Sequence, residues 1–219
     1  MRASEIKAET DLGRLEQFIC HQRQSIHSAG DPFIVPDHGS IESALVLARD
    51  QCEKSQGRFQ IIVRAGRYRF REPIILHESI SLSGEGRPSI VGTWNFNGGN
   101  SVITGVEFEC SGGRCLTVEN GEVLLEHCSI FVGLHLNALP STLLICTGGL
   151  VTLRQCNLRG KSSSDLARDG IAVCGKGRVL AELSKLYWCE FAVSAGDTAQ
   201  VTFIIRSSKT VSFDSSFGR

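Results

Sequence analysis

The chain has 219 residues, 42% hydrophobic and 21% charged, enough for one ordinary domain or one elongated repeat array with a proper core. Lys plus Arg equals Asp plus Glu at 23 each, so the surface offers no global attraction to nucleic acid or anionic lipid, and neither is expected as a partner. No run of about 18 apolar residues is present, so no membrane span is expected. Nine cysteines accompany a charged N-terminus, Met1 to Thr10, that lacks an apolar signal region. Buried reduced thiols are therefore expected in place of disulfides, in an intracellular reducing compartment: the cytoplasm, or an organelle if a presequence has been removed.

In chain order, Leu12, Leu15, Phe18 and Ile19 recur at helical spacing, with Asp11 placed to cap them. Residues 31–39 carry two prolines and read as a loop. Ser40 then opens a second helix whose apolar face is Ile41, Ala44, Leu45 and Ala48, with Glu42 favoured by the dipole in the first turn. Residues 1–56 thus form an N-terminal helical extension and cap, and residues 57–219 form the main body.

After Gly57 the period becomes strand-like. Short apolar segments at 60–63, 73–76, 80–82, 89–91, 101–108, 115–118 and 122–130 are mostly separated by glycine or Asn-Gly turns. The 23 glycines suit so many tight turns.

An internal repeat selects the architecture. Val123-Leu-Leu-Glu-His-Cys-Ser-Ile130 aligns with Val151-Thr-Leu-Arg-Gln-Cys-Asn-Leu158 and with Val179-Leu-Ala-Glu-Leu-Ser-Lys-Leu186, each copy 28 residues after the last. The preceding strands, Cys115–Val118, Leu143–Cys146 and Ile171–Cys174, keep the same offset, and turns at Gly121, Gly149 and Gly177 follow them. Weaker copies lie near Ile80, Val102 and Val201. Such a register belongs to stacked coils. The fold expected is all-β, a right-handed parallel β-helix of five or six coils with an N-terminal capping helix. Val123 and Ile130 both face inward yet differ in parity, so a bend near 126–127 must separate two short strands. Cys128, Cys156 and Ser184 share one inward position, and Cys146 and Cys174 another.

The run Gly39–Ala48, with Ile61-Ile-Val-Arg-Ala-Gly-Arg-Tyr68, Pro73–Leu76 and Ile80–Gly86, resembles the N-terminal cap and first coils of the pectin-lyase-like superfamily. The later copies of strand, Cys, polar and aliphatic resemble the β-helix repeats of F-box-type proteins more than those of the pectin enzymes. The resemblance covers residues 39–213 and implies fold before function.

The enzymatic relatives imply aspartates on the middle coils. Here Asp50 is followed by none until Asp165, so that acid set is missing and no catalytic residue, metal or cofactor is expected. Glutamates are the substitutes to weigh. Glu126, Arg154 and Glu182 stack at about 4.8 Å, which reads as a solvent-facing charge ladder contributing about 0–1 kcal/mol per pair. His127 and Cys128, a nominal nucleophilic pair, should point apart, the thiol to the core and the imidazole to solvent. Cys110, Cys115 and Cys128 lack the spacing of a zinc site.

Candidate partner-binding residues are Arg64, Arg67, Arg69 and Arg71, which suit an acidic partner, and Trp94 and Trp188, which with Tyr187 suit a sugar ring. Trp94 lies in a Gly- and Asn-rich segment read as a loop leaving the coil. The function expected is a non-catalytic scaffold or interaction subunit of a larger assembly, with a protein partner at the uncapped C-terminal end near Val211–Phe213. The alternative is a carbohydrate-binding or carbohydrate-active protein.

Overall fold

The computed structural model describes residues 31–52, 58–110, 113–132, 142–160, 167–187 and 189–204. They form one helix, α1 (Ile41–Cys52), and strands that pair in parallel within two sheets, a β-helix-like arrangement. Ser40 caps α1, its Oγ accepting from the Ser43 amide at 3.2 Å. Ile41, Ala44 and Ala48 are buried, and α1 packs on β1 (Phe33–Val35) and β2 (Phe59–Val63). The segment read as a proline loop therefore contains a strand. The prolines flank Phe33–Val35, leaving its register with Ile61–Val63 intact.

The chain passes repeatedly through three strand positions. In the first lie β4 (Ile74–Leu76), the front half of β7 (Trp94–Thr104), the front half of β9 (Arg114–Glu126), β11 (Thr142–Cys146), β14 (Ala167–Val173) and β17 (Cys189–Ala195). In the second lie β1, β2, β5 (Ile80–Gly84), the rear halves of β7 and β9, β12 (Leu150–Arg154), β15 (Arg178–Glu182) and β18 (Gln200–Ile204). These two series join in one sheet. The third series is the other sheet: β3 (Arg67–Arg69), β6 (Ser89–Val91), β8 (Glu107–Cys110), β10 (Ser129–Val132), β13 (Asn157–Arg159) and β16 (Lys185–Tyr187).

The offset of 28 read from the repeats is the register observed: Val151 pairs with Val123 and with Val179, and Leu158 with Ile130 and Leu186. Alternation then builds the core in rows. Ile61, Leu82, Ile103, Leu125, Leu153 and Ala181 form one buried row, and Ile90, Phe108, Ile130 and Leu158 another.

One register differs from the repeat. Cys146 pairs with Val173, and Cys174, one residue further along, is exposed. The two cysteines do not share an inward position because the turn from β14 to β15 holds one residue more than that from β11 to β12.

The corner between the first and second positions is glycine-bound. Gly121 has φ +80°, and a Cβ there would collide with the Gly99 carbonyl oxygen of the preceding pass.

Candidate functional site

The chemistry-bearing residues of the repeats converge on the bend between the second and third strand positions. Gly105, His127, Gln155 and Leu183 occupy this bend in successive passes, all left-handed, with φ of 70°, 53°, 52° and 51°. Three of the four are not glycine, and the strain is offset by hydrogen bonds the bend makes possible. The amides of Gly105, His127 and Gln155 donate to the carbonyls of Glu126, Arg154 and Glu182 at 3.0, 3.0 and 2.9 Å. His127 and Gln155 are exposed, as expected of the imidazole, so no His127–Cys128 pair forms.

Just after the last three of these bends an inward side chain answers the carbonyl of the residue before the bend. Cys128 Sγ lies 3.3 Å from the Glu126 carbonyl and 3.5 Å from that of Ile103. Cys156 Sγ repeats this at 3.4 Å from Arg154 and 3.2 Å from Leu125, and Ser184 Oγ donates to Glu182 at 3.1 Å. A hydroxyl replaces a thiol without losing the contact to the carbonyl two residues back, whereas Val106 fills the same buried place after the Gly105 bend. Both thiols are buried. Burial pushes the Cys128 thiol well above its ordinary range.

Just before the last three of these bends an outward residue carries charge, where the first has Thr104. Arg154 Nη1 stands 3.3 Å from Glu126 and its Nε 3.4 Å from Glu182. The predicted ladder exists, but it is not solvent-facing. Glu126 and Glu182 are only 7% and 3% exposed. Their neighbours in the adjoining outward row, Leu124 and Thr152, are fully buried, and Thr152 Oγ1 has no hydrogen-bond partner among the described residues.

Beside Glu126, the same sheet face forms a groove of about 240 Å³, lined by Gln60, Ser81, Ser83, Glu85, Thr104 and Glu126 together with Ile61, Ile62 and Val102. It places hydroxyls, an amide and aliphatic side chains beside two carboxylates, both ion-paired, Glu85 with Arg64 and Glu126 with Arg154.

The candidate arginines do not act as a cluster. Arg64 pairs with Asp37 and Glu85, while Arg67 reaches across one strand to grip both oxygens of Glu109 at 2.7 and 2.8 Å. Arg69 and Arg71 are exposed and form no ion pair among the described residues. Tyr68 is structural, its hydroxyl donating to the Arg64 carbonyl at 3.0 Å.

Trp94 is a correction. It lies within β7 and not in a loop, is fully buried, and packs against Phe70, Phe96 and Phe108 at centroid distances of 6.1, 6.1 and 5.6 Å. It presents no face to a sugar. Trp188 and Val211–Phe213 fall outside the described residues.

A grouping not anticipated lies on the outer face of the six-stranded sheet. Phe131, Arg159 and Tyr187 stand in one register row, the Arg159 guanidinium 5.1 Å above the Phe131 ring. Tyr187 is 45% exposed, and Leu183, on the neighbouring bend, 40%. The signal was in the sequence, since Phe131, Arg159 and Tyr187 are spaced by the repeat offset of 28.

Among the described residues there is no cluster of three metal-ligating side chains, and no helix long and apolar enough to cross a membrane. Comparison with protein-family models, curated proteins and solved structures found no match to the chain.

Proposed function

We propose that the chain is a right-handed parallel β-helix of the pectin-lyase-like kind, capped by α1, that serves as a non-catalytic scaffold or interaction subunit. The observation that carries this reading is the state of the acids on its central face. Glu126 and Glu182 are buried against one shared arginine, which suits a structural role and leaves neither positioned as a free general acid or base. The thiols are likewise used as donors to bend carbonyls, an arrangement a reducing intracellular compartment preserves.

Contact with a partner suits the row of Phe131, Arg159 and Tyr187, with Leu183 beside it. Arg69 and Arg71 remain candidates for an acidic partner. The test is tagged expression in the native source, comparing the wild type with an Arg159→Ala/Tyr187→Ala variant. Loss of a stoichiometric partner from the variant is expected. An unchanged set of co-purifying proteins, or a wild type that runs as a monodisperse monomer with nothing bound, overturns the reading.

The groove beside Glu126 favours carbohydrate binding as a second reading, because hydroxyl rows and an amide suit a polyol. Titration with a panel of polyuronates and neutral oligosaccharides decides it. Saturable binding weakened by Thr104→Val supports it; absence of heat across the panel rejects it.

A further inference from the structure

We propose that Cys128 and Cys156 form a modification site, at which a hydroperoxide converts two stacked core thiols into a disulfide joining adjacent passes of the chain. The placement rests on register. Ser129 pairs with Asn157, and the Asn157 amide donates to the Cys128 carbonyl at 2.9 Å, so the two cysteines are direct neighbours across parallel strands. Such neighbours sit about 4.8 Å apart, inside the 4.4–6.8 Å Cα range that a disulfide accepts. Both side chains are buried and point to the core.

Among the described residues no other two cysteines occupy one register position. Cys146 has Val118 and Val173 as neighbours, Cys174 is exposed, and the next place in the row beyond Cys156 belongs to Ser184. The row therefore contains one oxidisable pair and ends in a residue that cannot extend it.

Both thiols are buried donors to backbone carbonyls, and the exchange balances from either one, here with Cys156 attacking and Cys128 as the resolving thiol. In the first step the Cys156 thiolate attacks one oxygen of hydrogen peroxide. A sulfur–oxygen bond forms, the oxygen–oxygen bond breaks, and hydroxide leaves to take up a proton as water. In the second, the Cys128 sulfur displaces the sulfenic hydroxyl as a second water, using its own thiol proton. Two thiols lose two electrons and one peroxide gains them. The oxidant is small enough for a buried site closed to larger disulfides, and each thiol directly follows an exposed bend residue, His127 or Gln155.

The test uses the full-length reduced protein with graded hydrogen peroxide, then alkylation under denaturing conditions and peptide mapping. Cleavage after Arg and Lys places Cys128 on the 115–154 peptide, which also holds Cys115 and Cys146, and Cys156 on the 155–159 peptide. A linked species two hydrogens lighter than the summed peptides is expected in the wild type and in Cys146→Ser. It is expected to be lost in Cys128→Ser and in Cys156→Ser, and reversed by dithiothreitol. Because Ser184 already fills the equivalent position, these serine variants should fold, and near-ultraviolet circular dichroism checks that they do. Persistence of the link in Cys128→Ser, or both cysteines remaining alkylatable after Cys174 is fully oxidised, overturns the proposal.

Discussion

Replacing Arg154 by methionine keeps the length and apolar stem of the side chain and removes the charge between two buried carboxylates. At an effective dielectric of about 20, each contact near 3.3 Å is a gross attraction of about 5 kcal/mol. The two glutamates, two strand spacings or about 9.6 Å apart, repel by about 2 kcal/mol on the same scale. Desolvation of three ions takes back most of the remaining 8 kcal/mol or so, and removing one partner of a buried pair typically costs about 3–5 kcal/mol. The Arg154 side chain is 30% exposed, which puts the expected loss for Arg154→Met at the low end, about 3 kcal/mol. Urea unfolding followed by far-ultraviolet circular dichroism should show the midpoint falling by about 1 M. The informative comparison is the triple variant Arg154→Met/Glu126→Gln/Glu182→Gln, in which no charge is left unpaired. It should recover about two-thirds of the loss, since the penalty is the orphaned carboxylates and not the lost attraction. If Arg154→Met costs less than about 0.5 kcal/mol, or the triple variant is no better than the single one, the ladder is not a buried electrostatic unit.

The same unfolding assay checks four further expectations. Trp94→Ala should cost about 3–5 kcal/mol, whereas Trp94→Phe should cost under about 2 kcal/mol, because the indole Nε1 it removes has no partner among the described residues. Cys156→Ser should be tolerated, and Cys156→Val should cost under about 1.5 kcal/mol, since Val106 already fills the equivalent buried place after the Gly105 bend. Gly121→Ala should destabilise by about 3 kcal/mol through left-handed strain plus collision with the adjacent pass. Leu183→Gly, at a left-handed position that has a side chain and 40% exposure, should be neutral or stabilise by up to about 1 kcal/mol.

Much of this bend was legible from parity. Val123 and Ile130 both needed to face the core, and only a bend near 126–127 allows it; the left-handed residue is His127. The spacing of 28 placed Glu126 beside Arg154 and Cys128 beside Cys156 because equivalent residues in stacked strands become neighbours. The depth of the outward face was not legible. Periodicity separates inward from outward positions but says nothing of what lies above an outward one, so Glu126 and Glu182 read as solvated. Trp94 was misplaced for a different reason. Asn97-Gly98-Gly99-Asn100 has the composition of a loop, yet here it carries β7 around a corner with register shifts between Phe96 and Asn100, so the tryptophan before it stays in the core. The slip at Cys174 came from a single added turn residue, which an offset taken from the flanking strands does not reveal.

The three residues at each bend also bear on how function should be sought in this chain. Glu126-His127-Cys128, Arg154-Gln155-Cys156 and Glu182-Leu183-Ser184 each supply an outward charge, a left-handed hinge and an inward donor. Acid, imidazole and thiol in sequence suggest catalysis, but at these positions each residue type answers a demand of the backbone: pairing with the next strand, strain at the hinge, and carbonyls needing a donor. Side chains that the fold requires say little about ligands. The side chains that carry functional information are those the fold does not require, namely Arg159 held over Phe131, and Tyr187, which stay exposed away from the bends. Substitutions there should leave the unfolding midpoint within about 0.5 kcal/mol of wild type while changing what the protein binds. Arg154→Met, at a bend, should do the reverse. If Tyr187→Ala instead destabilised the protein as strongly as Arg154→Met, the outer row would be packing and not a binding surface.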